Sequence, residues 1–231
     1  MTKRILAYGD SNTWGFLSLD DRAPQLERLP FEDRWTGQAQ AKLGCGFVIL
    51  EDALPGRALD LDRPDMAGSN SLEPATWNGL KELPITLIRN VPIDLVIVGL
   101  GTNDILQDPE LEIDTYLDRV NSMVKRIRSF QLPLPLKGMP QSPAILVMAP
   151  PGFGGAVESS ATERAEAKRV KLLPELIKHA SDQSYHLVNA AQAVPTLAGD
   201  GVHLDRQAHQ RLGLHMAGAI EAIYSTTGNA E

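Results

Sequence analysis

Five short apolar runs punctuate the chain, at residues 4–8, 47–51, 93–99, 144–149 and 185–189. Ile93-Asp-Leu-Val-Ile-Val-Gly99 and Ala144-Ile-Leu-Val-Met-Ala149 are almost continuously aliphatic. Strands covered on both faces read this way, because neither face has to meet water. Between the runs, apolar positions recur at threes and fours, the spacing of one helix face. The clearest stripe lies within residues 112–130 and joins Ile113, Tyr116, Leu117, Val120, Met123, Val124 and Ile127. The same spacing predicts helices over 34–43, 76–89 (interrupted by Pro84), 162–181 and 205–224. Asp205 is placed to cap the last of these.

Strands that alternate with helices need right-handed crossovers, and so a layered α/β domain. We expect one domain over residues 1–231: a three-layer α/β/α sandwich on a five-stranded parallel sheet in the flavodoxin-like order 2-1-3-4-5. Two irregular stretches remain. Residues 131–143 hold four prolines and read as a stiff surface connection. Residues 150–160 follow the fourth strand, where a loop overhangs the functional edge of such a sheet; they are either a pocket wall or a connector.

Composition narrows the function without naming it. The 231 residues are 43% apolar and 22% charged, ordinary for a globular domain. A net charge of −7 with no Lys/Arg cluster argues against a nucleic-acid partner. The lone Cys45 excludes an internal disulfide and a multi-cysteine metal site, and is expected to be a small packing residue. No apolar stretch approaches the ~20 residues that span a bilayer. The opening Met-Thr-Lys-Arg-Ile-Leu lacks the apolar region of a signal peptide, so the expected place is the cytoplasm, without a membrane partner.

The chemistry sits at strand ends. Tyr8-Gly-Asp-Ser-Asn-Thr-Trp-Gly-Phe16 follows the first strand, and its glycines flank Ser11 on a turn that can expose the hydroxyl. Gly101-Thr-Asn-Asp104 follows the third strand, and Asp200-Gly-Val-His203 lies beyond the fifth. In a parallel sheet these all open on one rim. There His203 can take the proton of Ser11, and Asp200 can hold the other ring N–H. Asn103 offers an amide to a developing oxyanion, with the backbone N–H groups of Ser11 and Gly56 as companions. Gly56 is the only glycine between Phe47 and Ala67.

Gly9-Asp10-Ser11, Gly101-Thr102-Asn103-Asp104 and Asp200-Gly201-Val202-His203 resemble the blocks of the SGNH, or GDSL-type, esterase family. Tyr8–Gly15, Arg34-Trp-Thr-Gly37 and Glu51-Asp-Ala-Leu-Pro-Gly-Arg57 further resemble its bacterial arylesterase/acyltransferase branch. The resemblance implies a metal-free, cofactor-free serine esterase with Ser11, Asp200 and His203 catalytic and Ser11, Gly56 and Asn103 in the oxyanion hole. It implies a small acyl ester as substrate, acyl transfer to alcohols in some members, and homo-oligomers in some. Two positions depart from the pattern. Asn12 stands where the family's short name has leucine, a change expected not to touch the chemistry. The second block lacks the asparagine usual before its glycine.

Other polar residues near the site have plainer readings. Asp10 and Asp104 are expected to bond loop N–H groups, and His179, His186, His209 and His215 to be structural. Trp14 and Phe16 either line the acyl pocket or anchor the turn; Trp14 and Phe153 are the candidate substrate-binding residues. Arg57 either shapes the rim or forms a structural salt bridge. An Asp-x-x-His pair could bind metal, but no further ligands complete a set. A non-catalytic phosphate-binding module on the same fold would use Asp10 as acceptor, yet no glycine-rich phosphate loop occurs. The substrates expected are short-chain esters, since 5% aromatic content gives little material for a wide lipid groove. Acetylated sugars and small thioesters are alternatives at the same site.

Overall fold

A computed structural model describes residues 2–17, 27–66, 72–108, 110–132, 142–155, 159–197 and 199–227. Most of the proline-rich 131–143 connection and the middle of the 150–160 loop lie outside the described residues. The strands are β1 (Lys3–Gly9), β2 (Phe47–Ala53), β3 (Leu95–Gly99), β4 (Ala144–Ala149) and β5 (His186–Asn189). The helices are α1 (Ser11–Trp14), α2 (Trp35–Leu43), α3 (Gly79–Asn90), α4 (Thr102–Gln107), α5 (Ile113–Arg128), α6 (Ser160–Asp182) and α7 (Arg206–Thr227). All strand pairs are parallel, in the order β2-β1-β3-β4-β5. The expected sandwich is therefore the observed one.

Strand alternation divides the core into two layers. Leu6, Tyr8, Val96, Val98, Ile145 and Val147 face the stripe of α5 together with α3 and α6. Their sequence neighbours Ile5, Ala7, Leu95, Ile97, Leu146 and Met148 face α2 and α7. Each central strand is thus apolar on both sides because each side has its own helical cover. The chain leaves β1 towards β2 and leaves β3 towards β4, so the strand order reverses between β1 and β3. A crevice opens at such a point, at the C-terminal ends of the strands.

Local chemistry explains where the elements depart from the apolar pattern. Residues 74–77 form a 3-10 turn, and α3 starts only at Gly79, because the Asn78 side chain caps the N–H groups of Leu80 and Lys81. The helix continues through Pro84. Helices α1 and α4, of four and six residues, carry no periodic signal. Cys45 corrects an expectation: it is exposed in the Gly44–Gly46 turn, ahead of the apolar run that begins β2.

Packing of α2 on α7 depends on two residues of α7 one turn apart. A Cβ at Gly213 would lie 2.4 Å from Cβ of Gln38 and 2.7 Å from the Trp35 carbonyl oxygen, so only glycine permits the approach. His209 meets the start of α2, where Arg34 gives no side-chain cap. The Trp35 N–H donates to Nδ1 of His209 at 3.1 Å, so the imidazole of one helix caps another. Accepting that bond requires a neutral ring. Burial, opposed by Asp205 and reinforced by the Arg34 and Arg206 charges, pulls His209 from 6.5 down to about 4.

Between pH 6.5 and about 4 the unfolded chain binds a proton that the folded His209 refuses. Stability is therefore full above that window and falls as pH drops through it, by on the order of 3 kcal/mol. His209→Gln keeps an acceptor for Trp35 and does not titrate. Thermal melts should show a smaller acid-induced drop in Tm for this variant than for the wild type. An equal drop in both would remove His209 as its source.

Candidate active site

Ser11 opens α1 immediately after β1. Asp10 caps this short helix, with Oδ1 accepting the Asn12 N–H at 3.0 Å. The Ser11 carbonyl oxygen accepts the N–H groups of Gly15 and Phe16, which closes the turn. The hydroxyl is thereby held at the end of β1, on the β1 side of the crevice.

The other part of the site comes from beyond β5. Asp200 Oδ1 accepts the N–H groups of Val202 and His203, each at 2.9 Å, and folds residues 200–203 into one unit. Asp200 Oδ2 lies 2.7 Å from Nδ1 of His203, and Nε2 lies 3.0 Å from Oγ of Ser11. An ionised carboxylate can only accept, so Nδ1 carries the ring proton and Nε2 is open to the serine O–H. Burial raises the Asp200 pKa, but the His203 ring and the two N–H groups outweigh it and hold the carboxyl at about 2. The Phe16 ring stacks on the imidazole, with centroids 4.2 Å apart and planes 22° apart.

The third component is the loop after β2. Gly56 has φ +86°, a left-handed conformation that favours glycine. A Cβ there would also press on Met66 at 3.1 Å and Trp77 at 3.3 Å. Two successive residues of α4 fasten this loop. Asn103 Nδ2 donates to the Arg57 carbonyl oxygen at 2.9 Å, and Asp104 Oδ2 accepts the Leu59 N–H at 2.8 Å. Arg57 in turn pairs with Asp52 at 3.0 Å, lies 4.3 Å over the Tyr8 ring and bonds the Gly9 carbonyl oxygen. Its salt bridge is therefore structural, and it ties the ends of β1 and β2 together. Among the described residues, the backbone N–H groups of Ser11 and Gly56 meet no acceptor.

Asp10 and Asp104 act on the backbone as expected of them. Burial raises both; Asp10 reaches about 6, with the Asn12 N–H opposing, and Asp104 is restrained by Leu59 and Arg119. Trp14 is half-buried beneath the Arg28 guanidinium, 4.5 Å from its ring, and the Trp14 carbonyl oxygen accepts from Arg28 Nε. Phe153 is buried, and its N–H donates to Glu166. It lines a cavity of about 880 Å³ with Thr162, Leu197, Asp205 and Arg211; the described lining includes neither Ser11, Asn103 nor His203. Asn12, expected not to touch the chemistry, is buried and bonds the backbone on both sides of His203. Trp77 and Met66 had no sequence signal, since only the folded loop brings them to Gly56.

A serine, an imidazole and a carboxylate hydrogen-bonded in series can carry out acyl transfer. Among the described residues, no group of three or more His, Cys, Asp or Glu could hold a metal ion. Nor is any described helix long and apolar enough to cross a membrane.

The chain resembles solved esterases along nearly its whole length. The chain is similar to the aryl esterase of M. smegmatis at 28% identity, covering 96% of this chain and 99% of that one, with a TM-score of 0.80. It is similar to Est24, a carbohydrate acetylesterase from Sinorhizobium meliloti, at 29% identity, covering 96% and 100%, with a TM-score of 0.80. Among curated protein sequences none matches. The GDSL-like Lipase/Acylhydrolase family matches residues 5–216, from β1 into α7. The chain belongs to the GDSL-like lipase/acylhydrolase (SGNH) family and is a carboxylic-ester hydrolase.

Proposed function

We propose that the protein is a serine esterase that cleaves short-chain carboxylic esters, aryl and acetyl esters foremost, through an acyl-enzyme on Ser11. The observation that carries this reading is the unbroken series Asp200–His203–Ser11, with steps of 2.7 Å and 3.0 Å. As Ser11 Oγ attacks the ester carbonyl carbon, His203 Nε2 takes the serine proton. The carbonyl oxygen becomes an anion and is received by the Ser11 and Gly56 N–H groups and the Asn103 amide. One Asn103 amide proton is already bound to the Arg57 carbonyl oxygen, which orients the other. The intermediate then expels the alkoxide or phenoxide, and His203 returns the proton to it. Water repeats the sequence on the acyl-enzyme, with its proton passing to Nε2 and then to the departing Ser11 oxygen. An alcohol in place of water gives acyl transfer instead. Asp200 keeps its charge throughout, stabilising the imidazolium and fixing the ring.

The relatives' names differ in the alcohol they point to. One is named for aryl esters and the other for carbohydrate acetates, at nearly equal identity to this chain. An acetylated sugar is accordingly the second reading, at the same site. Steady-state comparison of p-nitrophenyl acetate with acetylated oligosaccharides distinguishes the two. For p-nitrophenyl esters, kcat/KM should fall from acetyl and butyryl towards long chains; a rise from butyryl to palmitoyl would overturn the short-chain reading.

Ser11→Ala should abolish hydrolysis of p-nitrophenyl acetate and covalent labelling by a fluorophosphonate, with the melting temperature preserved. Substantial turnover by pure Ser11→Ala protein would falsify the nucleophile assignment.

Asn103→Ala should lower kcat by on the order of 10²–10³, or ~3–4 kcal/mol, with KM little changed. The charge to be stabilised develops only as Oγ adds, so the amide binds the intermediate more strongly than the substrate. Its bond to Arg57 also fastens the Gly56 loop, so melts and fluorophosphonate labelling must accompany the kinetics. A folded, labelled variant with near-normal kcat would remove Asn103 from the oxyanion hole.

A further inference from the structure

Asn12 follows Ser11 in α1 and is only 3% exposed. Its Nδ2 donates to the Val202 carbonyl oxygen at 3.2 Å, and its Oδ1 accepts the Leu204 N–H at 3.0 Å. Those two backbone groups flank His203, so one amide brackets the residue that bears the base. Both partners also fix which way the amide faces, since one must accept and the other donate. Asn12 is itself anchored, through its N–H on Asp10 Oδ1.

The other bonds of this turn do a different job. Asp200 bonds Val202, His203 and the imidazole, and all three contacts lie within residues 200–203. They make the carboxylate and the ring a unit, but do not set its distance from the nucleophile. Among the described residues, hydrogen bonds between this segment and the nucleophile turn are the Ser11–His203 bond and the two from Asn12. The first must break and re-form during turnover. The Asn12 pair can persist, since neither of its partners exchanges protons. Leucine at position 12 would fill much of the same volume yet satisfy neither group, leaving the buried Leu204 N–H without this acceptor.

We infer that Asn12 is a positioning residue: its amide holds the His203 segment in register with Ser11 so that Nε2 stays within reach of Oγ. The inference rests on the Ser11–His203 reading above. Asn12 touches neither substrate nor the reacting atoms and acts through His203. A displacement of about 1 Å at such a contact can cost on the order of 10²-fold in rate.

The test is a double-mutant cycle on p-nitrophenyl acetate, with Asn12→Leu made in the wild type and in His203→Ala, and folded fractions set by circular dichroism. In the wild type, Asn12→Leu should lower kcat by ~10²-fold with KM little changed. In His203→Ala it should cost nothing further, because there is no base left to misplace. A loss of equal factor in both backgrounds would mean a general lesion and overturn the inference. So would a folded Asn12→Leu enzyme with near-normal kcat. Failure of the underlying reading is seen separately, as wild-type activity in His203→Ala alone. Should Asn12→Leu not fold, Asn12→Asp replaces it, keeping the acceptor for Leu204 and losing the donor to Val202. It should show a smaller loss that again vanishes in His203→Ala; a loss that persists there overturns the proposal.

Discussion

A 3.0 Å contact between residues 192 positions apart is the constraint around which this chain is organised. Ser11 comes after the first strand and His203 after the last, so no local structure can bring them together. The parallel sheet does most of it. Every strand delivers its C-terminal end to the same rim, and the crevice between β1 and β3 leaves room there for a reactive group. The two-sided core supports the rim: β1, β3 and β4 are packed from both faces at close-packed density. What the sheet cannot supply is the last ångström. Side chains that bond loop to loop provide it, with Asn12 joining the first turn to the last and Asn103 and Asp104 joining the third to the second.

Three aspartates at this rim show how environment assigns roles to one residue type. Asp200 is held at about 2 because it accepts from the imidazole and two N–H groups, and so remains a fixed negative charge beside His203. Asp10 is fully enclosed, with the Asn12 N–H as its chief compensation, and is pushed up to about 6. Asp104 is as deeply enclosed and is likewise raised, with the Leu59 N–H and Arg119 acting against the burial. The carboxylate assigned to the chemistry is thus the most stabilised as an ion, and the two that shape loops are less so. This suits a partner whose charge must persist while the neighbouring imidazole gains and loses a proton.

The fold was legible from the sequence because its signals are local. Continuous aliphatic runs report two-sided burial, and alternation with helical stripes reports crossovers, so strand order follows from few alternatives. Ser11 and Asn103 stood out for a related reason, as chemically apt residues just past strand ends, and Asp200 and His203 as an Asp-x-x-His pair in the segment beyond β5. The remainder was not legible, since it depends on contacts between distant segments. Asn12 looks like a neutral variant in its turn, and its partners at Val202 and Leu204 become visible only in the folded chain. Phe16 left two readings open, and the stack on His203 decides for neither a free pocket wall nor a simple turn anchor. Cys45 misled because an apolar residue type beside a strand suggests packing, whereas the turn before β2 faces solvent.

The same economy extends to the helices behind the site. His209 lies six residues beyond His203, yet its ring is turned into the α2–α7 contact and bonds Trp35. Trp35 indole in turn reaches Thr13 of the nucleophile turn at 3.4 Å, a distance at the long end for a hydrogen bond. One imidazole is partly open to solvent, with a carboxylate at its back, as the proposed proton exchange requires. The other is enclosed without such a carboxylate bond and is held neutral so that it can only accept. Interchanging these environments would suit neither: a His203 sealed from solvent could not serve the proposed proton relay, and a charged His209 could not cap α2. The two histidines are therefore distinguished by what surrounds them, and the segment between them, beginning with Leu204 on the Asn12 amide, is where the chain passes from catalytic rim to structural core.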